Sequence, residues 1–374
     1  MTFSIHQVNT SKDLKRFIKF PMKLYKGHSS YVPPIISFEQ STLRKDKNPA
    51  FEHAIAEYWV VKDANQEIVG RIAGIILDEE KEEKQYARFG WIDFIDNTEV
   101  FHLLIHTVEQ WALKHGCTQL HGPLGFTDLD FEGTLIEGFD QLATQATIYN
   151  APYYQSHFEK YGFAKACDWV EFLTNYDLPD KYSKATKLIE QRYKLRRIEL
   201  KNKKQLLQYT DQIFELLNST YADLYGYYPL TKAQINYYTN LYFDFVVKDF
   251  VNIIVNEENQ VVAFSLCVPS LSSAFQKAKG SLYPFGFIHV LKAFYRPESI
   301  DFFLICAQKE LQNKGLPALL LYYAGEALKK HKIRKVHTGP MLTNNTSMLN
   351  LIEQFRKITK GYQQVTRRCF IKEI

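Results

Sequence analysis

Five cysteines in 374 residues, none within reach of a C-x-x-C pair, argue against a disulfide framework and against a cysteine zinc or redox site. Cys117, Cys167, Cys267, Cys306 and Cys369 sit mostly in apolar segments and read as reduced core thiols. Neither G-x-G-x-x-G nor G-x-x-x-x-G-K-[ST] occurs, which disfavours nucleotide folds of those two kinds. H-E-x-x-H is missing as well. His102, His106 and Glu109 share a helical face at metal-like spacing, but with no further ligand in view they read as the solvated side opposite Phe101, Leu104, Ile105 and Val108. No metal is therefore expected. No run nears the roughly 20 apolar residues that cross a bilayer, and the opening MTFSIHQVNTSKDLKRF lacks the charged-then-apolar order of a secretion signal. A cytoplasmic protein is expected. Net charge is only +5, enough for anionic small ligands or a membrane surface but not for a nucleic-acid partner.

What the chain does have is core. Hydrophobic residues make up 46% and aromatics 15%, ample for a globular protein, and the length suggests about two domains. An internal echo supports two: WALKHGCTQLHGP (111–123) resembles EALKKHKIRKVHTGP (326–340), and NQEIVGRIAGI (65–75) resembles NQVVAFSLCV (259–268). Apolar alternation and i, i+3, i+4 spacing predict, in the first half, strands at 3–8, 54–62, 67–77, 86–95, 117–122 and 164–174. Helices are predicted there at 11–26, 98–115 and 151–161. In the second half they predict strands at 196–201, 249–256, 260–268, 300–307, 333–338 and 363–372. The helices there are 203–225, 231–243, 272–279, 284–296, 315–330 and 345–358. DEEKEEK (78–84) reads as a solvated hairpin tip, and 176–195 as a connector.

One stretch carries chemistry. In LICAQKELQNKGLPALLLYYAGEALKK (304–330) an apolar strand gives way to a lysine-bearing glycine turn and then to a long helix. Such a junction leaves unpaired backbone N–H groups converging at the helix start, an anion site that needs little side-chain charge.

Strand, helix, antiparallel meander, helix, strand, helix and strand, twice over, resembles the GNAT acyltransferase superfamily in tandem. That resemblance implies an α/β fold with a mixed sheet (α+β) in each of two GNAT-like domains, 1–178 and 179–374. In that superfamily a Q/R-x-x-G-x-G/A loop holds the acyl-CoA pyrophosphate. Gln312 and Gly315 match; Pro317 replaces the last small residue, with Ala318 after it, so one N–H donor is lost. More narrowly, GPLGFTDLDFEGTLIEGFD (122–140), YNAPYYQSHFEKYGFAKACD (149–168) and PSLSSAFQKAKGSLYPFGF (269–287) resemble a bacterial tandem-GNAT family. That family includes proteins proposed to be ceramide-synthase-like N-acyltransferases.

The resemblance implies acyl-CoA or acetyl-CoA as donor co-substrate, held by Gln312, Asn313, Lys314, Gly315, Leu316 and Ala318. Asn345 (or Asn344) and Asn150 would contact the pantetheine arm. It implies a small-molecule or lipid-like amine as acceptor. Tyr154 (or Tyr153) would protonate the departing thiolate, and Glu137 or Glu310 would be the general base. Asp130, Asp140, Phe126 and Phe285 would line the substrate pocket. Because the phosphate loop lies in the second half and the Asn–Tyr helix in the first, CoA is expected in the second half, with the first a degenerate, acceptor-side partner. The bland readings stand beside these: capping by Asn150, ring packing by the tyrosines, turn architecture for the acids. A non-catalytic GNAT-fold CoA-binding or scaffold protein is the alternative. GSLYPFGFIHVLKAFYR (280–296) reads either as a buried insertion or as a peripheral membrane contact.

Overall fold

A computed structural model describes residues 2–176, 182–346, 348–350, 353 and 360–374. Its strands are β1 (Ser4–Gln7), β2 (Ala54–Lys62), β3 (Ile68–Leu77), β4 (Tyr86–Phe94), β5 (Gln119–Gly122), β6 (Thr134–Glu137), β7 (Ala164–Asn175), β8 (Arg196–Arg197), β9 (Val251–Val255), β10 (Val261–Pro269), β11 (Ser299–Ala307), β12 (Lys335–His337), β13 (Met341–Leu342) and β14 (Lys360–Glu373). Its helices are α1 (Ser11–Leu24), α2 (Ile36–Thr42), α3 (Asp78–Lys84), α4 (Thr98–Lys114), α5 (Tyr153–Lys160), α6 (Tyr182–Tyr193), α7 (Thr210–Tyr221), α8 (Lys232–Tyr242), α9 (Ser272–Ala278), α10 (Gly286–Tyr295), α11 (Lys309–Gln312) and α12 (Leu316–His331). The helix predicted over 345–358 falls largely outside the described residues.

The chain folds as two compact units that are not contiguous in sequence. One holds residues 1–169, 272–290 and 365–374; the other holds 170–271 and 291–364. Both β7 and β14 therefore start in one unit and finish in the other, where the sequence suggested a single cut near 178.

In the first unit β1 to β5 lie in chain order, with β14 beyond β5 and β6 on β14. Pairing is antiparallel except for β4 with β5, which run parallel over Tyr86–Arg88 and Gln119–His121. The sheet alternates as its sequence does. Tyr58, Arg71 and Asp93 face α1, whose Phe17 packs on Tyr58 and under the Arg71 guanidinium. Trp59 and Ile72 face α4, which buries Val100, Phe101, Leu104, Ile105, Val108 and Trp111.

The second unit repeats this plan: β8 to β12 in order, then the later half of β7. Again one pair is parallel, β11 with β12, through Ser299–Asp301 and Lys335–His337. Helix α12 covers one face through Leu316, Leu319, Leu320, Ala324 and Leu328. Helix α7 covers the other through Ile213 and Leu216, against Ile253, Phe264 and Cys306. The echo segments 111–123 and 326–340 turn out to be equivalent pieces, each running from the end of the covering helix into the fifth strand, and 65–75 and 259–268 lie on the two third strands, β3 and β10.

DEEKEEK departs from the expected solvated tip: it forms helix α3, and Glu80 points inward with a side chain 1% exposed. Arg88 Nε donates to Glu80 Oε2 at 2.6 Å and Arg88 Nη1 to the Gly125 carbonyl at 3.0 Å, while His121 Nε2 lies 3.3 Å from Glu80 Oε1. Burial alone would push the Glu80 carboxyl up; the Arg88 and His121 charges outweigh it and hold it well below the usual carboxylate range. Arg88→Met strands that carboxylate in the core, at a cost of about 3–5 kcal/mol. Because the folded pKa of Glu80 is depressed, its contribution is present at neutral pH and lost as pH falls through that value. Denaturant titrations of the two proteins should differ by that amount at pH 7, with the gap narrowing as pH falls below ~4. Equal midpoints at pH 7 would contradict the pairing.

Candidate active site

In each unit the parallel fourth and fifth strands form a ladder of only three residue pairs, followed by one close approach (the Leu124 N–H to the Phe89 carbonyl at 2.9 Å, Gly339 against the Phe302 carbonyl), and the fourth strand then runs on without a parallel partner. Each fourth strand also carries a register shift on its antiparallel side, at Arg71/Ala73 against β4 and at Leu266/Cys267 against β11. Bulges of this kind leave backbone groups outside the ladder. The junction between the fourth strand and its covering helix differs sharply between the units.

In the first unit the junction is occupied by side chains. The Phe94 N–H donates to Tyr154 Oη at 3.1 Å, and Tyr153 Oη donates to the Phe94 carbonyl. Asn97 caps α4 by accepting from the Val100 N–H at 3.1 Å, with Asp96 and Glu99 adding negative charge at that helix start. An anion would find the Phe94 and Val100 donors taken and like charge around it. Tyr154 is buried among Tyr25 (2.7 Å, oxygen to oxygen) and Asp93 (3.3 Å), and Arg71 pairs with Asp93 at 2.7 Å. Burial, then the Asp93 charge, push the Tyr154 hydroxyl well above its ordinary value. Asn150 is likewise spent on the protein: its Oδ1 accepts from the Leu135 N–H at 2.6 Å and its amide donates to the Leu135 and Ala151 carbonyls.

In the second unit no side chain hydrogen-bonds to the helix start, although Ile189 of α6 packs against Gly315. Short α11 leads to Gly315, whose φ of +92° is a left-handed conformation suited to glycine. No side chain caps α12 and no acid lies in its first turn. The helix start presents the N–H groups of Leu316 and Ala318, Pro317 contributing none. Gln312 Nε2 ties the loop to the Ala307 carbonyl at 3.0 Å, and Asn313 and Lys314 are exposed beside it, the Lys314 ammonium 5.6 Å from the Tyr193 ring centre. Asn345 caps the next helical turn by accepting from the Met348 N–H at 3.3 Å. Glu310 lies exposed on α11.

The acids expected around the first unit's loop separate. Glu137 accepts from the Thr366 hydroxyl at 2.6 Å and Asp140 from the Gln141 amide at 2.7 Å, both exposed. Asp130 is recessed. It accepts from the Phe126 and Thr127 N–H groups, a Cβ on Gly125 would collide with it, and burial pushes its carboxyl up to about 7. Phe126 is buried against Phe51 and Trp91. Phe285 is 71% exposed. Asp128 and Glu132, which sequence reasoning passed over, hydrogen-bond to each other, and burial raises both carboxyls.

A second pair missed from sequence lies at the fork of the second unit. Asp301 is the last β11 residue paired with β12, and its partner is His337. Asp301 Oδ1 lies 3.5 Å from His337 Nδ1, and Ile300 and Val336 on either side point to the α12 face, so the pair lies on the other. Asp301 is 4% exposed, and burial pushes its carboxyl up to about 7. The Ser270 hydroxyl eases this in part, yet neither carboxylate oxygen has a well-formed hydrogen bond among the described residues. Burial, then Lys335, hold the His337 imidazole below its ordinary value. Near neutral pH the histidine is thus an uncharged proton acceptor. An acid inside the apolar strand SIDFFLICA was the one sequence signal for it. Cys306, further along the same strand, is a core thiol that burial pushes up to about 12, unsuited to attack at neutral pH. No cluster able to hold a metal occurs among the described residues.

No family model matches the chain. It is 29% identical over 354 residues to Protein YghO of Escherichia coli (strain K12), covering 91% of this chain and 89% of that protein. To the bacterial ceramide synthase of Caulobacter vibrioides (strain NA1000 / CB15N) it is 26% identical over 296 residues, 77% of this chain and 75% of the other. Among solved structures, a tandem GNAT protein from the clavulanic acid biosynthesis pathway superposes with a TM-score of 0.56 at 12% identity, covering 100% of this chain and 98% of that one. The GCN5-related glucosamine N-acetyltransferase region of a fungal multi-domain GH3 beta-N-acetylglucosaminidase gives 0.58 at 14%, over 99% of this chain and 38% of that one. The fold is that of tandem GNAT proteins.

Asp301 takes its proton more readily folded than unfolded, so between pH ~4 and about 7 the folded state holds the extra proton and loses stability as pH rises. Asp301→Asn removes that loss. Its stability relative to the natural protein should climb across this window, by something on the order of a few kcal/mol at about 1.4 kcal/mol per pKa unit. A gap that stays flat with pH would mean the carboxyl is not held up by burial.

Proposed function

We propose that this tandem GNAT-fold chain is an acyl-CoA-dependent N-acyltransferase whose donor site is the start of α12. The observation that carries the reading is the contrast between two equivalent junctions. One is closed by Tyr154, Tyr153 and Asn97; the other offers backbone N–H groups, a lysine and no competing cap or acid. A diphosphate suits the second and not the first. Its thioester would then extend along the parted strands β11 and β12, toward Asp301 and His337.

In the reaction, the amine must arrive or become uncharged before its lone pair attacks the thioester carbonyl carbon. His337, neutral and without a hydrogen-bond partner at Nδ1 among the described residues, is the group we assign to accept that proton. The Asp301 carboxylate, 3.5 Å away, stabilises the resulting imidazolium when ionised. The C–N bond forms, the C–S bond breaks, and CoA leaves as a thiolate that takes up the proton carried by the His337 imidazolium, with no covalent enzyme intermediate. Holding both reactants in one place supplies much of the acceleration. The named relative from Caulobacter supports a lipid-like acceptor, a sphingoid amine, and a long acyl chain.

Two variants test the reading. Ala318→Glu puts an acid in the first turn of α12, which favours the helix but repels a diphosphate. CoA affinity by calorimetry should fall at least tenfold while the unfolding temperature holds or rises. His337→Gln should leave CoA affinity unchanged and lower kcat with palmitoyl-CoA and sphinganine by roughly 10²–10⁴. CoA binding without turnover on any amine would favour the non-catalytic binding protein. Undiminished affinity in Ala318→Glu would remove the donor site.

A further inference from the structure

An apolar helix is ordinarily a covered helix, and α10 is not. Its ten residues, GFIHVLKAFY, include one lysine and no acid, and none is buried. Val290, Ala293 and Phe294 are half-buried, so the helix rests on the protein along that side. At 3.6 residues per turn, Phe287, Ile288, Leu291 and Tyr295 fall on one adjoining outward arc, and all four are exposed. The approach to the helix extends the patch: Tyr283 is 80% exposed, and its ring lies 6.3 Å from that of Phe287. With Phe285, six large apolar side chains meet water within thirteen residues. A patch of that kind needs a cover.

Charge points to which cover. Residues 259–297 contain no Asp or Glu, the longest acid-free interval in the chain, and carry Lys277, Lys279, Lys292 and Arg296. All four cations are exposed. Lys292 and Arg296, one turn apart, border the apolar arc on its Ile288 side. A second copy of this chain would bring like charges together across the same patch; an anionic bilayer surface brings opposite ones. Phenylalanine and tyrosine rings with flanking cations are the composition that settles at the boundary of headgroups and hydrocarbon. No helix among the described residues is long and apolar enough to cross a membrane, so the contact is from one side.

We propose that α10 and the turn before it form an interfacial anchor that seats the chain on an anionic lipid surface. Phe285, Phe287, Ile288 and Leu291 enter the acyl boundary, and Lys292 and Arg296 stay among the headgroups. This stands on the patch alone and does not depend on the catalytic reading.

Flotation of the full chain tests it, with vesicles of phosphatidylcholine alone and of phosphatidylcholine containing about one-third phosphatidylglycerol. The chain should float with the anionic vesicles, far less with the neutral ones, and be partly released by salt. Phe285→Ser/Leu291→Ser should abolish flotation, and Lys292→Glu/Arg296→Glu should lower partition to anionic vesicles more than tenfold. Both pairs are exposed, so the unfolding temperature should be unchanged; should the serine pair lower it, the charge reversal decides. Failure of the natural chain to float on anionic vesicles, or variants that float as it does, overturns the anchor. So does a concentration-dependent dimer in sedimentation equilibrium that the serine pair dissolves, since the patch would then be covered by a second copy.

Discussion

The first turn of a helix leaves backbone N–H groups with no intrahelical acceptor, and something must meet them. This fold poses that problem twice, after β4 and after β11, and answers it in two ways. At α4 the side chain of Asn97 meets it, and the adjacent strand end is tied down by Tyr153 and Tyr154. At α12 a left-handed glycine turns the chain and no side chain caps the helix after it. The chain holds two copies of one architecture, and the proposed donor site rests on this local difference between them.

Buried charge separates the two units in a similar way. In the first, Arg88 with Glu80 and His121, and Arg71 with Asp93, are ion pairs with their hydrogen bonds largely made. Such groups specify packing, and removing either partner is costly. In the second, Asp301 and His337 are held close, with no well-formed hydrogen bond at the Asp301 carboxylate or His337 Nδ1 among the described residues. The proposed proton transfer rests on this arrangement, which gains nothing for stability while holding a neutral imidazole beside an acid.

Much of this was legible in the sequence, and the exceptions share a cause. Regular alternation made β2, β3, β4 and β10 readable almost to the residue, and helical spacing did the same for α1, α4 and α12. The loop at 312–318 was readable because backbone geometry is encoded locally, by Gly315. What depended on distant partners was not. DEEKEEK looked solvated because Arg88 and His121, which take Glu80 inside, carry no mark of that role in sequence. The Asp301–His337 pair joins residues on two strands with a helix between them. The helix expected at 203–225 instead begins as a tighter turn over Lys203–Tyr209 before α7, and α2 was not seen at all. Nor does anything in 272–290 or 365–374 announce that these segments pack with the first unit.

The most direct measurement of the central asymmetry is amide hydrogen exchange with and without CoA. The account predicts slowed exchange at residues 313–319, which include the Leu316 and Ala318 amides, and none at 95–100, where Asn97 already takes the Val100 N–H and Asp96 and Glu99 repel an anion. Unchanged exchange at 313–319, or protection at 95–100 in its place, would contradict it.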